Sequence, residues 1–320
     1  MAESGQYIYG PVPSRRLGLS LGVDIVPFKV CTLDCIYCQL GRTTEKTIER
    51  RSYVPVQGVL DELRARLAQP LEADFVTISG SGEPTLNSQV GAIIDGIKGL
   101  TQIPVAVVTN GVLLYMEDVR TDCAKADLVV PSLDAGDDHT FGLINRPHKD
   151  ITIEKVIAGL VQFREQYAGP IWLEVFLIEG VNTGAGQVAK IKDAVERIRP
   201  DKVQLNTAVR PTADSRVVRP DAATLQAIAG ELGPLAEIVV DVSPDHGGQH
   251  RPPRAEEVLS MLKRRPCSLS DICAGLNIAR NHAIKCVQHL TGAGLASMVE
   301  KNGVLFYWAA ERAERGQAAH

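Results

Sequence analysis

Short apolar runs alternate with longer amphipathic stretches from residue 19 to about residue 242, and this alternation limits the fold more than any other feature. Most of the short runs are apolar throughout, as in parallel strands that helices cover on both faces. The predicted strands are Leu19–Val26, Phe75–Ser79, Val105–Thr109, Leu128–Leu133, Ile171–Ile178, Lys202–Thr207 and Glu237–Val242. The intervening segments have apolar residues at helical spacing. The predicted helices are Gln57–Ala68, Val90–Leu100, Ile153–Tyr167, Gln187–Ile198 and Ala222–Leu232.

Strands that alternate with helices indicate right-handed βαβ units and an α/β fold. Six or seven such units within about 225 residues fit a barrel, complete or partial, better than a single dinucleotide-binding sheet. We therefore predict one large domain over residues 1–242.

A second unit is predicted after a Gly-, Pro- and His-rich linker at residues 243–253. Residues 254–310 contain three helical patterns, with Ser268 or Ser270 as an N-cap of the second. Two short apolar runs then flank Lys301-Asn302-Gly303, which is typical of a hairpin turn. This order resembles a small winged helix-turn-helix domain, and residues 311–320 form a polar tail.

The third predicted helix of this unit offers polar residues that could reach phosphates and base edges, namely Arg280, Asn281, His282 and Lys285. Residues 251–320 hold 10 Lys and Arg against 6 Asp and Glu, while the whole chain has a net charge of −4. This mildly basic balance does not establish nucleic-acid binding, and winged helices also dock proteins. Contact with nucleic acid and protein docking both remain open.

Composition excludes several classes of protein. Hydrophobic residues make up 45% of the 320 and charged residues 22%, the mixture of an ordinary globular protein. We expect no membrane span, since no run of 18 residues is apolar, and no signal peptide. A cytoplasmic location follows as an expectation, and there the seven cysteines would not form a disulfide framework.

Cys31, Cys35 and Cys38 form a C-x3-C-x2-C pattern directly after the first predicted strand. Thiolates favour zinc, Cu(I) or iron–sulfur clusters, and a closed zinc or four-iron site needs a fourth ligand. The next cysteine is Cys123 and the next histidine is His139. Three ligands on a four-iron cluster would leave one iron open to a small molecule. The alternative is a zinc site completed by a distant residue.

The triad, with Tyr37 before its third cysteine, resembles the radical S-adenosylmethionine (SAM) superfamily. The resemblance implies a partial (β/α)6 TIM-like barrel in which the three cysteines hold a [4Fe–4S] cluster and SAM chelates the fourth iron. It implies that an electron from a donor such as flavodoxin or ferredoxin cleaves SAM to methionine and a 5′-deoxyadenosyl radical. That radical usually abstracts a hydrogen atom from the substrate.

The same resemblance implies further SAM contacts at the ends of later strands. Gly80, Ser81, Gly82 and Glu83 resemble the Gly-Gly-Glu motif that binds the SAM amino group, although Ser81 stands where the first Gly is usual. Thr109 and Ser132 lie in segments that resemble the molybdenum-cofactor cyclase branch, where a Thr and a Ser contact SAM. Tyr37 and Asn206 are the other predicted cofactor-binding residues; Asn206 ends the sixth predicted strand and could read the adenine edge.

Three segments are similar to radical SAM proteins described as similar to wyosine-tRNA synthetases, namely Gly10–Gly18, Gln39–Gly41 and Gly82–Leu86. Within the first, Arg15 and Arg16 either bind phosphate or carboxylate or form a solvated pair. The substrate stays open among RNA, peptide and metabolite.

The remaining cysteines and the rival functions complete the predictions. Cys123 is predicted to pack in the core, as are Cys267, Cys273 and Cys286, for which a second cluster or metal is the alternative. The rival functions are an iron–sulfur redox-sensing regulator that acts through the winged helix, an activase of a partner protein, and a zinc-binding interaction protein.

Overall fold

The computed structural model describes residues 7–239, 255–276, 278–301 and 303–310. The first ten strands are β1 (Ile8–Ser14), β2 (Gly18–Val23), β3 (Val30–Cys31), β4 (Glu45–Lys46), β5 (Phe75–Ile78), β6 (Val105–Thr109), β7 (Leu128–Pro131), β8 (Trp172–Leu177), β9 (Lys202–Thr207) and β10 (Ala236–Ile238). The helices among them are α1 (Val56–Leu67), α2 (Val90–Leu100), α3 (Glu117–Cys123), α4 (Asp138–Ile144), α5 (Ile153–Gln166), α6 (Ala185–Ile198) and α7 (Ala222–Leu232).

The strands of this unit follow one another in a single series. A five-stranded sheet has the order β1-β2-β5-β6-β7, and a three-stranded sheet has the order β10-β9-β8. Two isolated parallel bridges, Val129 to Ile171 and Ser132 to Glu174, join β7 to β8. β1 lies antiparallel at one edge, and the other seven strands of the series are parallel, namely β2, β5, β6, β7, β8, β9 and β10. These are the seven predicted strands, although residues 240–242 of the last lie outside the described residues.

The predicted helices of this unit are also present, and they cover the sheets. In α2 the residues at helical spacing, Val90, Ile93, Ile94 and Ile97, are fully buried. Buried apolar area of this kind supplies the main stabilisation of such a layer, about 25 cal/mol per Å². Cys123 is fully buried in the same core, as predicted.

An ion pair shows that the series of strands is curved. Arg16, in the turn between β1 and β2, pairs with Glu174 on β8. Three strands separate β2 from β8 in the series, so a flat sheet would hold these side chains far apart. Burial, with the neighbouring Arg15, lowers the pKa of Arg16 to about 10. Arg16 therefore binds a carboxylate, as one of the two sequence predictions has it, but the carboxylate belongs to Glu174 of this chain. The other prediction, a solvated arginine, does not hold for this mostly buried side chain.

The C-terminal unit contains three helices and a small sheet. Its elements are α8 (Ala255–Arg264), β11 (Cys267–Ser268), α9 (Leu269–Leu276), α10 (Arg280–Gly292), β12 (Ala296–Lys301) and β13 (Val304–Ala309). The sheet order is β11-β13-β12, with antiparallel pairing. Ser268 Oγ accepts a hydrogen bond from the Asp271 amide at 3.1 Å, which confirms the predicted cap. The predicted linker, 243–253, and the polar tail, 311–320, lie outside the described residues.

The C-terminal unit packs against the first unit at two places. Val12 on β1 joins its core, and the Arg265 guanidinium donates to the Pro13 carbonyl at 3.3 Å. Beyond β9, Arg210 forms an ion pair with Asp271 at 2.6 Å, with 9% and 15% of the two side chains exposed. The C-terminal unit therefore reaches from the β1 edge to the segment after β9. Among the described residues, no helix is both long and apolar enough to span a bilayer.

Candidate cofactor site

The three triad cysteines lie in and after β3. Cys31 ends that strand, and Cys35 and Cys38 follow in the loop that leads to β4. All three are free thiols and half-buried. The Asp34 amide donates to the Asn145 carbonyl at 2.9 Å, which holds the loop against the segment after α4. The structure thus gathers the predicted metal ligands in one fixed loop.

The cysteine loop is hydrogen-bonded to the Gly80–Glu83 loop after β5. The Lys29 amide donates to the Ser81 carbonyl at 2.6 Å, and the Glu83 amide donates to the Val30 carbonyl at 3.0 Å. A Cβ atom on Gly82 would lie 2.1 Å from the Val30 carbonyl oxygen, so only glycine allows this approach. The two loops that the sequence assigns to cluster and SAM are therefore direct neighbours.

Each triad thiol has a nitrogen donor beside it, and each donor comes from a different segment. The three pairs are Lys29 Nζ to Cys38 Sγ at 3.1 Å, Asn110 Nδ2 to Cys31 Sγ at 3.5 Å, and Asn145 Nδ2 to Cys35 Sγ at 3.4 Å. Lys29 is 3% exposed and is the charged member of the set. Hydrogen bonds to sulfur and nearby charge tune iron–sulfur sites, so this arrangement suits a thiolate-held cluster.

Burial controls the ionisation of these groups. It raises the pKa of Cys31 to about 11, and the Glu83 carboxylate acts in the same direction. Burial and Asp134 hold the pKa of Cys35 well above its usual value. For Lys29, burial alone would lower the pKa, but the three cysteine sulfurs beside it, through their negative charge and the Cys38 hydrogen bond, raise it overall. Binding of a metal by Cys31 and Cys35 must therefore displace the protons that burial favours on their thiols.

The triad is not arranged around one metal ion. In the described part of the chain, no group of three or more His, Cys, Asp and Glu side chains could hold a single ion. A zinc site needs four ligands around one centre, whereas a cluster spreads its ligands over several irons.

Glu83 lies at the centre of a buried hydrogen-bond network. Its Oε1 accepts from Thr85 N at 3.0 Å, from Thr85 Oγ1 at 2.6 Å and from Thr109 Oγ1 at 2.6 Å. Its Oε2 accepts from the Asn110 amide at 2.8 Å. Burial raises the pKa of Glu83, although these donors act against that shift. The network ties the predicted SAM residues Glu83 and Thr109 to the segment that carries a thiol donor.

The Gly80–Ser81 turn is shaped around a buried carboxylate. Gly80 has φ of +145°, and a Cβ atom there would lie 2.4 Å from Asp24 Cγ. Asp24 accepts from Ser81 N at 3.0 Å and from Ser81 Oγ at 2.5 Å. Glycine is needed at 80, and the serine at 81 has a specific partner.

Tyr37 has two contacts within this chain. Its ring stacks on Phe176, with centroids 3.9 Å apart, and its hydroxyl donates to Asp134 Oδ2 at 2.5 Å. Asp134 also accepts from Asn145 Nδ2 at 2.6 Å and from the Phe176 amide at 2.9 Å. The network fixes the loop that carries Cys35 and Cys38 against β8.

Ser132 and Asn206 lie on neighbouring strand ends. Ser132 bridges to Glu174 and lines a small cavity behind the triad with Asn110 and Asn145. Asn206 on β9 is 7% exposed and pairs in register with Phe176, beside the Tyr37 ring. The structure brings the predicted residues to one end of the parallel strands, as expected for this architecture.

Sequence reasoning missed the thiol donors and the buried carboxylate. Asn110 directly follows Thr109, a predicted SAM residue, and Asn145 directly follows α4. Lys29 and Asp24 carry no such signal, because their contacts depend on residues far along the chain.

Comparison with known proteins identifies the family. The model of the radical SAM superfamily matches residues 25–204, more than half of the chain. The chain belongs to the radical SAM superfamily. Members of this superfamily use a [4Fe–4S] cluster and SAM.

Curated relatives of this radical SAM protein refine the subgroup. The chain is 36% identical over 303 residues to a Brachyspira hyodysenteriae protein named GTPase Obg, covering 94% of the chain but 45% of that protein. It is 36% identical over 214 residues to a UPF0026 protein of Methanocaldococcus jannaschii, covering 66% of each. The chain thus spans less than two thirds of either relative. These comparisons support a relation to the UPF0026 proteins rather than the predicted link to wyosine-tRNA synthetases.

A solved radical SAM structure shows the same fold. A radical SAM methyltransferase from Sphaerobacter thermophilus superposes with a TM-score of 0.51 at 16% identity, covering 68% of this chain and 65% of that chain. The likeness supports the α/β fold of the first unit.

Proposed function

We propose that this chain is a radical SAM enzyme in which Cys31, Cys35 and Cys38 hold a [4Fe–4S] cluster. The observation that carries the proposal is the pair of backbone hydrogen bonds between the cysteine loop and the Gly80–Glu83 loop. They set three thiols beside the segment that resembles a SAM motif. When bound, the cluster supplies one electron for reductive cleavage of SAM to methionine and a 5′-deoxyadenosyl radical, which abstracts hydrogen from a substrate.

The protein's own residues bind and orient in this proposal. The three thiols supply three ligands and leave one iron open to SAM, as the open position of a catalytic metal site requires. The backbone of Gly80, Ser81 and Gly82 positions the methionine part of SAM, together with Glu83. The further SAM contacts are Tyr37, Thr109, Ser132 and Asn206.

The fold supports this assignment of roles. Seven parallel strands follow one another in a series, and site residues lie at or after the ends of β5, β6, β7 and β9; this supports a partial (β/α)6 barrel over residues 1–242 with one additional strand. The order of three helices and a hairpin in residues 254–310 supports a winged-helix domain. In α10, Arg280, Asn281 and Lys285 are exposed, which supports a docking role toward nucleic acid or protein. The electron donor is a flavodoxin or ferredoxin.

Anaerobic reconstitution tests the proposal. Dithionite-reduced protein should give a cluster EPR signal that SAM shifts, and the mixture should produce 5′-deoxyadenosine. The control replaces Cys123 with alanine, which leaves the triad unchanged. A cluster that is indifferent to SAM, with no deoxyadenosine, would overturn the enzyme assignment.

A redox-sensing regulator is the second candidate, and the exposed polar side of α10 favours it. A regulator of this kind should bind a DNA fragment with an affinity that changes with the oxidation state of the cluster. Equal DNA binding by oxidised, reduced and cluster-free protein would exclude this candidate.

A further inference from the structure

The Gly80–Ser81 turn is connected to the C-terminal unit through a short chain of side chains. Asp24 follows β2 and accepts both the amide and the hydroxyl of Ser81. Arg264, the last residue of α8, approaches the same carboxylate, with Nε 3.9 Å from Asp24 Oδ2. The two side chains are 12% and 9% exposed, so their charges meet with little screening by water.

A second contact leads from Arg264 to the same loop. The Arg264 guanidinium lies over the Tyr9 ring, 4.3 Å from its centroid, a cation–π arrangement. The Tyr9 hydroxyl hydrogen-bonds Ser79 Oγ at 3.0 Å. Gly22 leaves the room for that ring, because a Cβ atom there would lie 2.0 Å from Tyr9 Cζ. Arg264 therefore contacts both side chains that hold residues 79–81.

Arg264 is itself anchored within the C-terminal unit. Its Nη1 donates to the Ser260 carbonyl at 3.1 Å and to Ser260 Oγ at 2.8 Å. Burial raises the pKa of Asp24, whereas Ser81 and Arg264 act in the opposite direction. A buried carboxylate is costly without charged or hydrogen-bonding partners. The C-terminal unit thus places a cation beside the buried Asp24 carboxylate that accepts both hydrogen bonds from Ser81.

We propose that Arg264 is a positioning residue that holds the SAM-binding loop in shape through Asp24 and Tyr9. The inference rests on the proposed function, since the loop is assigned to SAM there. It gives the C-terminal unit a role in cofactor binding in addition to any docking role. It also explains Ser81, because the hydroxyl that replaces the usual glycine binds the carboxylate that Arg264 faces.

The test compares Arg264→Met with Lys263→Met, an exposed neighbour on the same helix. In cofactor-free protein, amide hydrogen exchange at residues 79–83 should be about tenfold faster in R264M and unchanged in K263M. The factor is taken by analogy with residues that support a binding site through another side chain, whose loss typically weakens the site about tenfold or more. In reconstituted protein, the SAM concentration that half-shifts the cluster EPR signal should rise about tenfold in R264M only. A melting curve for each variant checks that both units remain folded.

A double-mutant cycle with Asp24→Asn tests the route. If Arg264 acts through Asp24, R264M should add little to the faster exchange of D24N, because the two residues form one interaction. Unchanged exchange in R264M, or fully additive effects in the double variant, would overturn the proposal. Wild-type protein that shows no SAM-shifted signal would overturn the proposed function instead. The exchange comparison needs no cofactor, so the two failures are distinguishable.

Discussion

Replacement of Lys29 by methionine should make the cluster harder to reduce. The ammonium lies 3.1 Å from Cys38 Sγ and is almost fully buried. Reduction adds one negative charge to the cluster, and a nearby positive charge stabilises that reduced state. Methionine is an unbranched side chain one atom shorter than lysine, so it keeps most of the packing and removes the charge.

The size of the effect follows from Coulomb's law. Two unit charges 3.1 Å apart interact by about 5 kcal/mol at an effective dielectric constant of about 20. A cluster spreads the added electron over its irons, sulfides and thiolates, so we take about a quarter of that value, roughly 1.3 kcal/mol. For a one-electron couple this corresponds to a shift of about 60 mV toward more negative potential.

The assay is an EPR-monitored redox titration of anaerobically reconstituted protein. Lys29→Arg keeps the positive charge, so its cluster reduction potential should lie within about 20 mV of the wild-type value. That is a third of the shift expected for the methionine variant. Lys98→Met removes an exposed lysine that pairs with Asp127 on the outer surface, and it controls for net charge. A K29M potential within about 20 mV of the wild type, at equal iron content, would refute the electrostatic reasoning.

Three further predictions follow from the site and the unit interface. Replacing all three triad cysteines with alanine should abolish iron incorporation, whereas the Cys123→Ala control should retain it. Iron is measured after reconstitution, and near-full iron content in the triple variant would refute the ligand assignment. Glu83→Gln turns an amide NH2 toward a donor and should lower the free energy of unfolding by about 1–3 kcal/mol, measured by urea denaturation; an unchanged midpoint would contradict the network. Arg210→Ala leaves the mostly buried Asp271 without its cation and should destabilise the protein by about 3–5 kcal/mol. Burial raises the pKa of Asp271, but Arg210 and Arg265, with the Ser268 amide, together outweigh it and hold that pKa below its usual value. The stability that these contacts give is therefore lost as acid protonates the carboxylate, below about pH 4, and the variant should show a flatter acid dependence.

The strands were predictable because their signal is local. Val105–Thr109 and Lys202–Thr207 match the sequence prediction residue for residue. The first is a nearly continuous apolar run, and in the second Val203 and Leu205 alternate with polar residues, so both carry a strand pattern within their own few residues. The β1 strand was missed, because its sequence, IYGPVPS, contains two prolines. Proline cannot donate to a sheet, but an edge strand tolerates it. Helix α4 was also missed, since seven residues are too few for a clear helical period.

The site was predictable only in part. The spacing of the cysteines is itself a chemical signal, because three thiolates in one loop have few other uses. The donors to those thiols come from three segments, and no local pattern links Lys29 to Cys38 or Asn145 to Cys35. Such pairs depend on how the loops after successive strands meet, which only the folded chain determines.

Ser81 shows what a departure from a motif can reveal. From the sequence, serine at this position is a small residue that a glycine site tolerates. In the structure its hydroxyl donates to Asp24 at 2.5 Å, on the carboxylate that Arg264 approaches from the C-terminal unit. Glycine at 81 would remove one of the two hydrogen bonds that Ser81 gives this buried carboxylate, and leaving a charged acceptor short of donors costs free energy. The serine is therefore one part of a three-residue arrangement. Its other members are Asp24, which lies 57 residues earlier, and Arg264 in the C-terminal unit.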